Sequence, residues 1–326
     1  MKKILVLMVA TLVLLSGCAK KPTTDPVVED KVYNVGVGVY STINTTDATA
    51  EALGTVALNT TFAWIVTDAD GKIVYAHLDT VQNNKATFDQ TGAVVDQIVK
   101  VSKGQLLEGY NMGGTSPIKK EWFEQAQFME AWMIGKTIAE VAATEMADGY
   151  PVDADLKTGT TIHITDFVAA VADADNKLVE VKNIVSVGSD TFTSGSFDAG
   201  KVQYNTNAAL VALDADGVVL YANIDVVQSK VAIDATGVVT AKSTDSKKAL
   251  GDAYNMKGTS PISKEWFEQV EFMEAWMVGK SIDTVIALEM VDNYPADADL
   301  KTGTTIHVNE LVTAIDAANK AVVTLG

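Results

Sequence analysis

The stretch Gly113-Gly114-Thr115-Ser116-Pro117-Ile118-Lys119-Lys120-Glu121-Trp122-Phe123-Glu124-Gln125 returns 144 residues later as Lys257-Gly258-Thr259-Ser260-Pro261-Ile262-Ser263-Lys264-Glu265-Trp266-Phe267-Glu268-Gln269. Asp153 to His163 returns without change as Asp297 to His307 at the same offset. Further upstream the match continues at an offset of 146, with Asp68-Ala69-Asp70-Gly71 against Asp214-Ala215-Asp216-Gly217. A period this long marks a duplicated domain, since solenoid units are shorter. The two copies are expected over residues 32–176 and 177–326, with the boundary near Asp173 to Lys177.

Each copy presents the same order of elements. Thr61 to Thr67 and Ile73 to Leu78 are β-rich and flank an Asp-Gly turn, which reads as a hairpin. A helix follows, with Ser116 expected as its N-cap and Pro117 as its first residue, and with Trp122, Ala126, Met129 and Met133 at helical spacing. Gly135 is expected to end it. Thr137-Ile138-Ala139-Glu140 has capping-box form and should open a second helix. Gly149-Tyr150-Pro151 reads as a turn, Thr161 to Thr165 as a short alternating strand, and Asp166 to about Ala174 as a final helix. The fold class expected is α+β, twice over.

At the N-terminus, Lys2 and Lys3 precede the apolar run Ile4 to Leu15, which is shorter than the roughly 20 residues of a membrane-spanning helix. Small residues then lead into Cys18, the order of a cleaved export signal over residues 1–17. Leu15-Ser16-Gly17-Cys18 resembles the lipobox of bacterial lipoproteins, in which the cysteine thiol receives a diacylglyceryl group. The resemblance implies a chain held in the bilayer by the Cys18 lipid, at the extracellular face of the cell membrane. Residues 18–31 are rich in Lys, Pro, Thr and Asp and read as a flexible tether, reaching roughly 45 Å if fully extended.

Cys18 is the single cysteine, so no disulfide framework is available and each copy must fold by its own core. With 48% apolar residues and about 150 residues per copy, it can do so. The net charge is −17 with no arginine anywhere, which argues against nucleic acid as a partner.

Several motifs fail on their spacing. Ile134-Gly135-Lys136-Thr137 and Val278-Gly279-Lys280-Ser281 end like a phosphate-binding P-loop, but Glu130 and Glu274 stand where its first glycine is required. The three histidines, His77, His163 and His307, have no partner at zinc-ligand spacing. Asp68 with Asp70, and Asp214 with Asp216, lack the further oxygen ligands of a calcium loop and read as solvated turns. No Gly-x-Ser-x-Gly elbow or cysteine nucleophile supports a hydrolase. The run Trp122, Phe123, Phe128, Met129, Trp132, Met133, with Trp266, Phe267, Phe272, Met273, Trp276 and Met277, reads first as core. Its excess of aromatic and thioether groups also suits one wall of a site for a flat ligand.

What remains is Asp155-Leu156-Lys157-Thr158-Gly159-Thr160-Thr161, repeated as Asp299 to Thr305. This heptad resembles the flavinylation motif of FMN-binding domains, Asp-x-x-Ser/Thr-Gly-Ala-Thr/Ser, in which a flavin transferase esterifies the phosphate of FMN to the last hydroxyl. The resemblance assigns that role to Thr161 and Thr305. Asp155 and Asp299 match the motif's acid, Thr158 and Thr302 its central hydroxyl residue, and Gly159 and Gly303 its glycine. Thr160 and Thr304 depart from its alanine. In an extended strand Thr161 and His163 share a face, so His163, and His307 in the second copy, are expected beside the phosphate. With the lipobox and both repeats, the chain resembles the two-domain, flavin-carrying lipoproteins of extracellular electron transfer in Gram-positive bacteria. That implies two covalent FMN groups per chain, a flavin transferase as partner, a membrane quinone/NADH dehydrogenase system as electron donor, and external acceptors such as ferric iron. Such a chain is an electron carrier rather than a classical enzyme. The alternative is a non-redox surface lipoprotein binding a small ligand or a cell-wall partner.

Overall fold

A computed structural model describes residues 30–326; up to residue 29 the segments read as an export signal and tether, with Cys18, lie outside the described residues. Residues 31–326 form one compact α+β unit.

The first copy begins with three long antiparallel strands, β1 (Val32–Thr46), β2 (Gly54–Asp68) and β3 (Ile73–Phe88), followed by the short β4 (Val94–Asp96). The expected Asp-Gly hairpin joins β2 to β3: the Asp68 carboxylate accepts the amides of Asp70 and Lys72 at 3.0 and 2.8 Å and so closes the turn. Then come α1 (Lys103–Leu106), α2 (Trp122–Met133), α3 (Ile138–Ala142), the two-residue strands β5 (Met146–Ala147) and β6 (Tyr150–Pro151), α4 (Thr165–Asp175) and β7 (Val179–Lys182). The second copy repeats this series as β8 (Ser186–Asp198), β9 (Lys201–Leu213), β10 (Val219–Ile233), β11 (Val239–Ser243), α5 (Lys247–Leu250), α6 (Trp266–Met277), α7 (Ile282–Ile286), β12 (Met290–Val291), β13 (Tyr294–Pro295), α8 (Asn309–Lys320) and β14 (Val323–Thr324).

The main sheets have the matching orders β4-β3-β2-β1-β7 and β11-β10-β9-β8-β14. Because β7 pairs with β1, Val32 opposite Lys182, the first copy runs to residue 182. The boundary therefore falls several residues beyond 176: the segment after α4 returns to cover the β1 edge before the chain crosses to the second sheet.

Alternation along the strands builds four layers. On β2, Ala63 and Ile65 face the helices, in a core with Trp122, Ala126, Met129 and Phe167. Phe62, Trp64 and Val66 point the other way and meet Ala208, Leu210 and Ala212 of β9. The two sheets thus pack back to back with helices on both outer faces, and β2 is buried on both sides, which explains its nearly continuous apolar run. Gly38 on β1 lets α4 lie directly on the sheet, since a Cβ there would come within 1.8 Å of the Ala170 carbonyl oxygen. Among the described residues no helix is long and apolar enough to cross a membrane.

Two helix assignments separate. α3 has Thr137 as N-cap, with Glu140 completing the capping box as expected. The N-cap of α2 is Glu121, not Ser116: the Glu121 carboxylate bonds the third helical amide and Glu124 returns to the Glu121 amide. Ser116 and Pro117 lie in a preceding turn, which Lys119, at φ 57°, separates from the helix.

Candidate functional site

Gln125, the fourth residue of α2, is fully buried and holds the heptad. Its Nε2 donates to Ser116 Oγ and to the Lys120 carbonyl, both at 3.1 Å. That leaves Oε1 to accept the Thr161 amide at 2.8 Å and the Thr161 hydroxyl at 3.0 Å. The second copy reproduces the arrangement: Gln269 is held by Ser260 and Lys264, and accepts the Thr305 amide at 2.8 Å and hydroxyl at 3.1 Å.

The neighbouring threonines turn inward. Thr160 and Thr304 are fully buried, and each donates its hydroxyl to the carbonyl of that same glutamine at 2.8 Å. Replacing Thr304 by alanine should therefore cost about 1 kcal/mol, read as a lower urea midpoint, because one buried helix carbonyl loses its side-chain donor.

Thr161 to Thr165 is not a strand. With Gln125 supplying the hydrogen bonds and Ile164 donating its amide to the Gly149 carbonyl, the segment runs as irregular chain into α4, which begins at Thr165. Thr161 and His163 consequently do not share a strand face. Both line one cleft instead. Leu156–Thr158 form a single 3₁₀ turn, with Thr158 Oγ1 donating to the Asp155 carbonyl at 2.7 Å. The acid that organises this turn is Asp153, whose Oδ1 accepts the amides of Asp155 and Leu156. Asp155 itself is exposed. Gly159 has an ordinary negative φ; its glycine is required by the Phe128 ring, which a Cβ would approach to 2.3 Å. Gly303 meets Phe272 in the same way.

The cleft holding Thr161 has a volume of about 540 Å³ and is lined by residues of the first copy only, among them Asn59, Lys103, Tyr110, Trp122 and His163. Its counterpart around Thr305, about 840 Å³, is lined by the second copy alone, including Lys247, Tyr254, Trp266, Tyr294 and His307. Both volumes lie within the range of ordinary ligand sites, roughly 300–1,000 Å³.

A lysine lies on the aromatic wall of each cleft. Lys103 Nζ sits 5.0 and 5.3 Å from the ring centres of Tyr110 and Trp122, and Lys247 Nζ 5.2 and 5.0 Å from those of Tyr254 and Trp266. Burial pulls Lys103 down to about 8, opposed by the nearby Asp79 and Asp166. Lys247 is likewise lowered to about 8, first by burial and then by Lys230. In each case burial outweighs two nearby carboxylates, Asp79 and Asp166 for Lys103, Glu310 and Asp225 for Lys247. Opposite them, His163 packs edge-on to Tyr150 with ring centres 4.1 Å apart, and His307 to Tyr294 at 4.4 Å. In the first cleft, Asn59 Oδ1 is buried without a hydrogen-bond partner among the described residues.

Of the aromatic helix, Trp122 lines the first cleft and is also core; Met129 and Met133 are core, while Phe123, Phe128 and Trp132 are partly buried against it and lie outside that cleft. Lys136, the P-loop-like lysine, follows the end of α2 and lies 4.4 Å from the Trp132 ring centre. His77 stacks on Trp64 on the inner face of the first sheet. Among the described residues no group of three His, Cys, Asp or Glu is arranged to hold a metal.

Gln125, Ser116, Lys103 and Tyr110 were not read as site residues from the sequence. The signal was present in the repeat: Ser102-Lys103 recurs as Ser246-Lys247, and Tyr110-Asn111-Met112 as Tyr254-Asn255-Met256, inside segments that otherwise diverged. Compared with protein-family models, with curated proteins and with solved structures, the chain matches none of them.

Proposed function

We propose that each repeat carries one FMN, joined through its phosphate to Thr161 in the first copy and Thr305 in the second, and that the chain is a flavin-based electron carrier. The observation that carries this reading is the division of labour within Thr160-Thr161 and Thr304-Thr305. One hydroxyl of each pair is locked inward, and the other stands in a cleft with its proton directed at a glutamine oxygen, leaving lone pairs for bonding.

The cleft residues fit the group. Lys103 and Lys247 supply positive charge for a phosphodiester, and its arrival should restore their ordinary basicity. Tyr110 with Trp122, and Tyr254 with Trp266, offer apolar faces for a flat ring. The unsatisfied Asn59 oxygen suits a ring N–H donor. Attachment by a transferase breaks the pyrophosphate of FAD, forms a phosphoester to Thr Oγ1 and releases AMP, the threonine proton leaving to solvent or a base. The bound flavin supplies reversible electron uptake, while the chain tethers and orients it. A covalent link matters outside a cell, where a cofactor held at micromolar affinity, about −8 kcal/mol, would wash away.

With the Cys18 lipid as anchor, the setting is the extracellular face of the cell membrane. A membrane quinone/NADH dehydrogenase system would be the donor and ferric iron one external acceptor. Co-expression with a flavin transferase should make the protein yellow and fluorescent in a denaturing gel, with about half the signal in Thr161→Ala or Thr305→Ala and none in the double variant. A colourless product beside an active transferase would favour a non-redox ligand-binding lipoprotein.

A further inference from the structure

The two copies differ at Gly104 and Lys248, each the second residue of a short helix. In each, a serine caps the short helix after the third long strand, and the second residue of that helix donates its amide to an aspartate on the strand: Gly104 to Asp79 at 2.9 Å, Lys248 to Asp225 at 3.1 Å. In each, a glutamate of the long helix accepts a strand amide: Glu130 from Leu78 at 2.7 Å, Glu274 from Ile224 at 2.5 Å. The second copy then closes the gap with the Lys248 side chain, whose ammonium lies 2.6 Å from Glu274 Oε1. In the first copy Gly104 has no side chain to offer. A cavity of about 200 Å³ lies there instead, and its walls include both Gly104 and Glu130, with His77, Asp79, Gln105 and Asp190 around them.

Among the described residues, neither Lys103 nor His77 hydrogen-bonds Glu130 as Lys248 does Glu274. Lys103 is directed over Tyr110 and Trp122 in the other cleft. His77 binds Ser189 Oγ through Nδ1 at 2.7 Å and stacks on Trp64. Asp190 accepts Gln105 Nε2 at 2.8 Å and the Thr191 amide at 2.7 Å, and Asp79 accepts the Thr80 and Gly104 amides. Among the described residues, Glu130 has the Leu78 amide as its single hydrogen-bond partner. Burial raises Glu130 and Asp79 above the usual carboxylate range, and the nearby His77 offsets this only in part.

We infer that this cavity is a binding site for a small primary alkylammonium ion, with the ammonium against Glu130 and an unbranched chain of about four carbons running past Gly104, as the Lys248 side chain does in the second copy. Three N–H donors suit the free carboxylate oxygen and its acidic surroundings, and Trp122 and Phe123 offer apolar contact to the stem. The inference is independent of flavin. Placing the lysine in cis is not the cleanest test, because a Cβ at position 104 would meet Asp79 Oδ2 at 2.7 Å.

Calorimetry and thermal unfolding of the full chain with n-butylammonium chloride, against equal tetramethylammonium chloride, read the site. Expected is one saturable equivalent with a dissociation constant on the order of millimolar, and a rise in Tm that tetramethylammonium does not give. Glu130→Gln, checked for folding by circular dichroism, should bind at least ten-fold more weakly. Lys248→Gly should open a second site, giving two equivalents, and its lowered Tm should recover with butylammonium. Equal responses to the two cations in the unaltered chain, or unchanged binding by Glu130→Gln, would overturn the proposal; these arms decide it even where Lys248→Gly fails to fold.

Discussion

Replacing Gly38 by alanine is expected to lower stability by about 3 kcal/mol, the upper part of the usual range for overpacking a core. The added methyl would stand 1.8 Å from the Ala170 carbonyl oxygen and 2.6 Å from the Ala174 amide nitrogen. Both are backbone atoms of α4, so no side-chain rotation relieves the clash, and the helix must lift from β1. Moving it disturbs the core that α4 shares with α2, including Phe167 against Trp122 at 5.6 Å between ring centres. Gly114→Ala is the matched control, since a Cβ there meets nothing within 4 Å and the residue has no positive φ. Urea unfolding of the two variants should separate them clearly. A loss under about 1 kcal/mol for Gly38→Ala would contradict the direct seating of α4 on the sheet.

Replacing Lys248 by methionine should have a comparable effect that depends on pH. Glu274 is largely buried, its side chain 13% exposed, and burial pushes it up to about 7 against the pull of Lys248. A carboxyl raised in the folded state above its unfolded value contributes stability that is complete below the unfolded value and is lost as pH rises through about 7. At pH 8 the carboxylate is charged and Lys248 is its partner; without it the cost should be about 3 kcal/mol, the range for stranding one member of a buried pair. At pH 5 the folded protein already holds a proton on Glu274, and the cost should fall well below that. Urea midpoints at the two pH values measure this, and an equal loss at both would contradict the pairing.

What the residues revealed of this fold depended on whether their signals were local. The Asp68-Gly71 hairpin and the Thr137 capping box are decided by side chains bonding amides two to four residues away, and both stand where the pattern puts them. Ser116-Pro117 carries a stronger local signal than Glu121, yet α2 starts after Glu121 and Ser116 serves a residue nine positions on, Gln125. Thr161 to Thr165 alternates like a strand, but Thr161 bonds a glutamine on α2 rather than a neighbouring strand, and no window of local sequence reports that. Long-range packing was equally silent: the back-to-back contact of the two sheets rests on residues such as Trp64 and Leu210, whose apolar character is the same whether they face a helix or another sheet. The candidate site was legible through the repeated heptad, while the glutamine and lysine beside it were visible only as identities preserved between copies.

The central claim, that Thr161 and Thr305 each bear a flavin, is tested most directly by intact mass of the protein co-expressed with a flavin transferase. The account predicts a gain of two FMN units, one lost in Thr161→Ala, the other in Thr305→Ala, and neither lost in Thr160→Ala or Thr304→Ala, whose hydroxyls face inward. No gain in the presence of an active transferase, or a gain that survives both Thr161→Ala and Thr305→Ala, would contradict it.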